Sequence, residues 1–414
     1  MLTGKTIVIL GGGVGGIVAA NHLRRQLASE HRVVLVERNA EHAFAPSFLW
    51  VMTGGRQPDQ VRRPLKSLLE KRVELRLSNV EAIDLPGRKV VTNAGELSFD
   101  YLVIALGAEF ALESMPGLAE ASETFFTADG AARLHERLKS FQGGSIAFAI
   151  AAMPYKCPAA PYEGAMLIAD YFQRRGLRDK VDIHLFTPEA QPMPVAGPEL
   201  GQAVQQLLQS KGIEFHPLHA LTRVDATART LVFPQSTSGP YDLIVAVPPH
   251  RAPQLLRQTS LVNPAGWVPA NPLTLETSAE RVFAIGDVTI VPIPGRWKAD
   301  VPLLLPKAGV FAHAQAEVIA ARIAAEIEGH KPAQTFGGAG YCMLEAGGGV
   351  AGFAAGNFYA QPAPDVRMRQ AGRSWHMGKV LFEQWWLTNP GWKRDLYGAL
   401  LQAGGKFYGI PVSV

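Results

Sequence analysis

The segment KTIVILGGGVGGIVAANHLRRQL restricts the start of this chain more tightly than any other stretch. It reads as a buried strand, a turn and a helix, with Gly11-x-Gly13-x-x-Gly16 at the junction. Gly11 permits a sharp turn, Gly13 lets the backbone approach a pyrophosphate, and Gly16 lets helix and strand pack closely. The helix N-terminus then offers free N–H groups and the positive end of its dipole to phosphates. HRVVLVERN follows as a second strand ending in Glu37, 21 residues past Gly16. An acid at that place binds ribose hydroxyls and repels a 2′-phosphate. Strand, triplet, helix, strand and acid in this order predict a dinucleotide site in an α/β fold.

At 414 residues the chain is too long for one ordinary core, so more than one domain is expected. The opening MLTGKTIVILGGG runs straight into a strand and turn, so no signal peptide is expected. No run of about 18 apolar residues suggests a transmembrane helix. The chain has two cysteines, Cys157 and Cys342, which is no disulfide framework and favours the cytoplasm. No metal site is expected.

The middle of the chain lacks what the beginning has. DKVDIHLFTPE and YDLIVAVPPH read as strands and GPELGQAVQQLLQSKG as a helix, so a second α/β unit is expected. Its leading strand, SIAFAIA, continues into Ala151-Ala152-Met153-Pro154 with no glycine. Side chains there would fill the space a pyrophosphate needs, and Pro154 has no N–H to donate. A nucleotide-shaped domain without its nucleotide is the expectation, and NADH is not expected as donor.

Two later stretches bear on the cofactor. FDYLVIALGAEF is a strand ending at Gly107, and LETSAERVFAIGDV is a strand ending at Gly286-Asp287. Both resemble the paired motifs of two-dinucleotide-binding-domain flavoproteins. The resemblance implies FAD at the first site, with Asp287 on the ribityl chain; a turn or cap role is the plainer reading of that aspartate. The expected fold is α/β, with two Rossmann-like domains of the glutathione-reductase type and a C-terminal membrane-facing region. Residues 1–112 and 250–325 would form the FAD domain, 113–249 the nucleotide-like domain, and 326–414 the quinone and membrane region.

Spacing leaves the cysteines open between packing and chemistry, since 185 positions separate them. Their settings say more: Cys157 lies in KCPAAPYE, just after a strand, and Cys342 in GYCMLEAGGG. With FAPSFLWVMTGG, VFAIGDV, LPKAGVFAHAQA and FEQWWL, these stretches make the chain resemble the sulfide:quinone oxidoreductases, relatives of the flavocytochrome c sulfide dehydrogenase flavoprotein. The resemblance implies that Cys157 and Cys342 face the flavin as a redox-active sulfur centre. Hydrosulfide would attack a bridging sulfur, leaving a persulfide on one cysteine and a thiolate on the other. Two electrons would then pass through FAD to a quinone. A neighbouring lysine would favour the thiolate; Lys156 is adjacent, though solvation is its simpler reading. Glu163 matches a family acid/base, against the alternative of an exposed glutamate at a helix start. Lys307, just before the next helix, is implied to sit near the flavin ring, against a plain surface lysine.

Many members of that family carry a third cysteine, and ASETFFTADGAARLHERL has none where it would fall. The flavocytochrome relative links its flavin through a cysteine near FAPSF, and that too is missing, so no cysteine-linked FAD is expected there. From Asp365 to Val414 seven Lys/Arg face three acids, an excess equal to the whole net charge of +4. Four of the seven tryptophans, Trp375, Trp385, Trp386 and Trp392, lie in the same tail. Basic plus aromatic is the pattern of an interfacial membrane segment, with a core or dimer interface as the rival. Two short amphipathic helices are expected, one bearing Phe382, Trp385 and Trp386, the other Trp392, Leu396, Leu400 and Leu401. Tyr341, Phe353, Phe358 and Tyr359 are candidates to clamp a quinone ring. A peripheral membrane protein on the cytoplasmic side is expected, with sulfide, quinone and membrane as partners and no nucleic acid. A homo-oligomer stays open. The alternatives are an NADH:quinone oxidoreductase of the same fold, a flavocytochrome-c-like sulfide dehydrogenase, and a flavin-bearing persulfide carrier or redox sensor that does not turn over.

Overall fold

The computed structural model describes residues 4–410 and 412. Two five-stranded sheets, each wholly parallel, organise the first three quarters of the chain, as expected of an α/β flavoprotein fold. The first has the order Val282–Ala284, Tyr101–Ile104, Thr6–Leu10, Arg32–Glu37, Glu74–Leu77. Its central strands are apolar on both faces because helices and loops cover both, and Ile7, Val8, Ile9 and Leu10 are fully buried. Helix Val14–Gln26 packs against the long helix Gly309–Ile327. The late strand Val282–Ala284 thus brings Gly286-Asp287 to the same C-terminal end of the sheet as the glycine turn that follows Leu10. Parallel strands put those turns at one end of the sheet, where open α/β sheets bind ligands.

The second sheet runs Ser122–Glu123, Leu243–Val247, Gly144–Ile150, Val181–Phe186, Ile213–His216. Helix Ala160–Arg174 follows its central strand, and the expected helix over GPELGQAVQQLLQSKG is observed as Pro198–Ser210. A three-stranded antiparallel sheet, Ala339–Gly347, Val350–Asn357 and Asp365–Gly372, then carries Cys342 opposite Ala354.

Two helices close the described chain, Arg373–Trp386 and Trp392–Tyr408. They divide the basic, aromatic tail differently from the sequence expectation. The first is a core helix: Trp385 and Trp386 are 5% and 1% exposed and pack beside His313, Phe44 and His42. The FEQWWL face therefore does not lie on a surface. The second helix keeps an apolar face outside, with Trp392 78% and Phe407 82% exposed and Leu396 and Leu400 about half so. No described helix is long and apolar enough to cross a membrane.

Candidate active site

The glycine turn has the geometry its spacing requires. Gly11 has φ +103°, and a Cβ on Gly16 would lie 1.8 Å from the Gly11 carbonyl oxygen. A Cβ on Gly13 would meet nothing within 4 Å, so the space beside it is open to a ligand rather than taken by packing. Gly13 is also the N-cap of its helix, without a side-chain cap and without an acid in the first turn, which leaves the dipole end to a phosphate. Glu37 is held in place: its Oε2 accepts the Gly12 N–H at 2.7 Å, and its Oε1 accepts the backbone and side-chain N–H groups of Asn39 at 2.8 and 2.9 Å. These residues line one end of a continuous cavity of about 1480 Å³, which passes Gly107, Gly286 and Asp287 and reaches Cys157 and Cys342. That exceeds the ~300–1,000 Å³ of a site for one drug-sized ligand. A flavin dinucleotide fits the donors, the open glycine and the volume of the cavity.

Cys157 and Cys342, remote in sequence, are walls of this one cavity. Both are free thiols, each half-buried. Cys157 takes the left-handed conformation, φ +56°, which is unusual for a residue with a side chain. Its N–H donates to the Lys307 carbonyl at 2.7 Å, and its own carbonyl accepts from Ala160 N–H at 2.9 Å as helix Ala160–Arg174 begins. The loop from the second sheet is therefore pinned to the loop from the first.

Behind the thiols lies a buried charged cluster. Lys379 donates to Glu163 Oε1 at 2.6 Å and to the Met343 carbonyl at 3.2 Å. Glu163, 1% exposed, also accepts the Glu345 N–H at 2.9 Å. Glu345 in turn lies 2.9 Å from His376 Nδ1. Burial pushes Cys157 up to about 12, with Glu163 adding to the rise and Lys379 opposing it. Burial, then Glu163 and Cys157, push Cys342 up as well, again against Lys379. Burial works against charge on Lys379, but Glu163 and Glu345 outweigh it and hold it ionised. Glu163 is thus not an exposed helix-start residue. The lysine that stabilises thiolate is Lys379, which the sequence reading counted only as part of a basic tail.

Lys156 does not take that part. Its ammonium lies 4.6 Å from the centre of the Phe110 ring, and burial lowers its pKa. Nor is Lys307 a surface lysine. Its Nζ donates to the carbonyls of Asp287 and Thr289, both at 2.7 Å, and sits 3.7 Å from the centre of the Trp267 ring. Desolvation lowers it to about 8. Burial raises the Asp287 carboxyl, with Lys156 and Lys307 opposing. Lys307 thereby ties the Asp287 loop to the Cys157 loop, by its ammonium on one side and its carbonyl on the other.

The second sheet carries an acid at the corresponding place, on the wall of the same cavity. Glu189 follows the strand Val181–Phe186 much as Glu37 ends its own strand, yet it is 6% exposed. Its Oε2 accepts hydroxyls from Tyr162 at 2.6 Å, Tyr155 at 2.9 Å and Thr187 at 3.1 Å. Tyr155 comes from the very loop that lacks glycine. Glu189 holds that loop by accepting the Tyr155 hydroxyl.

His42 was invisible to motif reading. Trp386 Nε1–H donates to its Nε2 at 2.9 Å, which makes Nε2 the acceptor and puts the proton on Nδ1, 3.0 Å from the Gly12 carbonyl. Burial lowers its pKa and keeps it neutral. The glycine turn is thus braced by the C-terminal core helix. Of the four aromatic candidates, Tyr341 and Phe358 line the cavity; Phe353 stacks on Trp375, and Tyr359 gives its hydroxyl to the Pro272 carbonyl. Phe382 and Trp386 also line it.

The fold defines a flavoprotein oxidoreductase. Residues 5–316 match the pyridine nucleotide-disulphide oxidoreductase family, and the chain belongs to it; FAD is its cofactor. Among curated relatives, mitochondrial sulfide:quinone oxidoreductase of Mus musculus is 27% identical over 299 residues, covering 69% of this chain and 66% of that protein, just under two thirds. The sulfide-quinone reductase of Aquifex aeolicus is 27% identical over 400 residues, 92% of this chain and 90% of that one. The X-ray structure of the Aquifex enzyme superposes with a TM-score of 0.81 at 24% identity, over 92% of this chain and 90% of that chain. A demethylphylloquinone reductase of Synechocystis is 31% identical over 294 residues, 68% of this chain and 71% of that protein.

Proposed function

We propose that this protein oxidises sulfide to sulfane sulfur at Cys157 and Cys342 and delivers the electrons to a membrane quinone. The observation that carries the reading is the meeting of two sequence-remote cysteines in the wall of the flavin cavity, before one Glu163–Lys379 pair. The likeness to sulfide:quinone oxidoreductases of mouse and Aquifex supports it.

Starting from a Cys157–Cys342 disulfide, hydrosulfide attacks one sulfur. A new S–S bond forms as a persulfide, the old bond breaks, and its electron pair leaves on the other cysteine as thiolate. Lys379 stabilises that thiolate electrostatically, and Glu163 destabilises it and so drives its electrons onward. FAD, when bound, would supply the two-electron acceptor as the thiolate and the persulfide sulfur join in a new S–S bond with loss of the persulfide proton, leaving a sulfane sulfur in the bridge, and would supply the donor for the quinone. Gly11, Gly13, Gly16 and Glu37 would hold its dinucleotide end, with Gly107, Gly286, Asp287 and Lys307 around the rest. On this reading residues 1–112 and 250–325 form the flavin domain. Residues 113–249 keep a nucleotide-binding shape without a glycine turn, and a Tyr155–Glu189 hydrogen bond holds the loop that stands in its place. Residues 326–414 supply the quinone side, where Tyr341, Phe358, Phe382 and Trp386 offer ring faces. The exposed Trp392, Leu396, Leu400 and Phe407, beside Lys393, would rest in lipid headgroups on the cytoplasmic side, whereas Arg394 is buried against Trp385.

The test is anaerobic. Sulfide is expected to bleach the flavin of the purified protein and a quinone to restore it, while NADH leaves it yellow. Bleaching by NADH with none by sulfide would replace this reading with the NADH:quinone one.

A further inference from the structure

A second cluster of chemistry-bearing side chains lies outside the cavity. The strands Val181–Phe186 and Ile213–His216 are parallel neighbours, and the latter is the edge strand of its sheet. Register pairs His184 with Glu214 and Phe186 with His216. Since side chains alternate, these four residues share one face, opposite the buried Ile183, Leu185 and Ile213. None of them lines the flavin cavity.

Three donor atoms converge on this face. His184 Nδ1 is 3.1 Å from His216 Nε2. Glu214 Oε2 is 3.3 Å from His184 Nδ1 and 3.7 Å from His216 Nε2. Zinc binds imidazole nitrogen at about 2.0–2.1 Å and carboxylate oxygen at about 2.0–2.2 Å. At the tetrahedral angle those bonds separate neighbouring ligand atoms by roughly 3.3–3.5 Å. The observed triangle has the size of one face of such a tetrahedron. The rings are held for the purpose: His216 lies flat on Phe186, with centroids 4.3 Å apart and planes at 9°, and His184 stacks on it at 5.4 Å. The His side chains are 20% and 29% exposed and the Glu214 side chain 67%, so an ion has access from solvent.

We propose that His184, Glu214 and His216 form a divalent-cation site of the zinc class, with the fourth position taken by water, that ties the edge strand to its neighbour. Nitrogen and oxygen ligands without sulfur suit zinc over softer ions. No metal site is expected from the sequence; the two histidines stand 32 positions apart, and only sheet pairing brings them together. The proposal is independent of the sulfide reading.

The test uses FAD-loaded protein carrying Cys157→Ser and Cys342→Ser, so that thiolate binding of metal is not counted. After treatment with a chelator, zinc chloride is titrated in and bound zinc is counted by elemental analysis. One zinc per chain is expected, with X-ray absorption giving only nitrogen and oxygen neighbours at about 2.0–2.1 Å. The thermal midpoint is expected to rise with free zinc. His184→Ala and His216→Ala should each weaken binding at least about tenfold, and Glu214→Gln, at an exposed position that cannot threaten folding, should weaken it as well. Flavin content checks that each variant is folded. Absence of stoichiometric zinc, or affinity indifferent to all three substitutions, would overturn the proposal and leave a hydrogen-bonded histidine pair.

Discussion

Glu163 and Lys379, 216 positions apart, share a buried hydrogen bond of 2.6 Å in the wall of the cavity that holds the two cysteines. Their influences on the thiols oppose each other. Glu163→Gln should lower the thiol pKa values, and Lys379→Met should raise them further. The pH dependence of alkylation of the reduced dithiol reads this directly. In the unsubstituted protein the rate should still be climbing where an ordinary thiol, near pKa ~8.5, levels off. Lys379→Met also strands a buried carboxylate, at about 3–5 kcal/mol. Shifts of the same sign in both variants would contradict the account.

Lys307 should leave a mark on the pH dependence of stability. Its folded value of about 8 lies below the ordinary 10.5. Between these two values the unfolded chain binds a proton that the folded chain does not, so stability from this group rises with pH. The stability of flavin-free protein minus that of Lys307→Met should increase over this window by at most ~1.4 kcal/mol per pH unit. Urea denaturation at a series of pH values checks it.

The two glycines of the turn should fail differently. Gly16→Ala forces a carbon against the Gly11 carbonyl and should destabilise the fold itself. Gly13→Ala meets open space and has φ −77°. It should therefore unfold within about 1 kcal/mol of the parent when flavin-free, yet bind FAD at least tenfold more weakly. Thermal melts and FAD titration separate the two outcomes.

The exposed helix Trp392–Tyr408 should carry the membrane affinity. Trp392→Ser together with Phe407→Ser removes its two most exposed rings. Co-sedimentation with anionic vesicles should fall at least tenfold, while reduction of a short-chain, water-soluble quinone stays as it was. Unchanged sedimentation would assign the face another partner.

Much of this site was legible because local chemistry fixes it. Gly11, Gly13, Gly16 and Glu37 are bound to one turn and its two strands, so order along the chain is order in space. Gly286-Asp287 and Cys157 were legible for a similar reason, each following a strand end. Lys379 and His42 were not, because their roles come from contacts across hundreds of positions that no local pattern encodes. The tail misled in part for a physical reason: tryptophan at helical spacing suits a core as well as a lipid surface. Trp386 went to His42 and the core, and Trp392 to the outside. His184 and His216 sit on strands where neither neighbours the other until the sheet forms.

The central claim is that Cys157 and Cys342 act as one redox centre. Anaerobic stopped-flow reduction of the flavin by sulfide in Cys157→Ser and in Cys342→Ser tests it most directly. Both variants should retain FAD and lose the rate by at least about a thousandfold, since parts of one unit fail together. A variant at either position that bleaches at the parent rate would contradict the account and return that cysteine to packing.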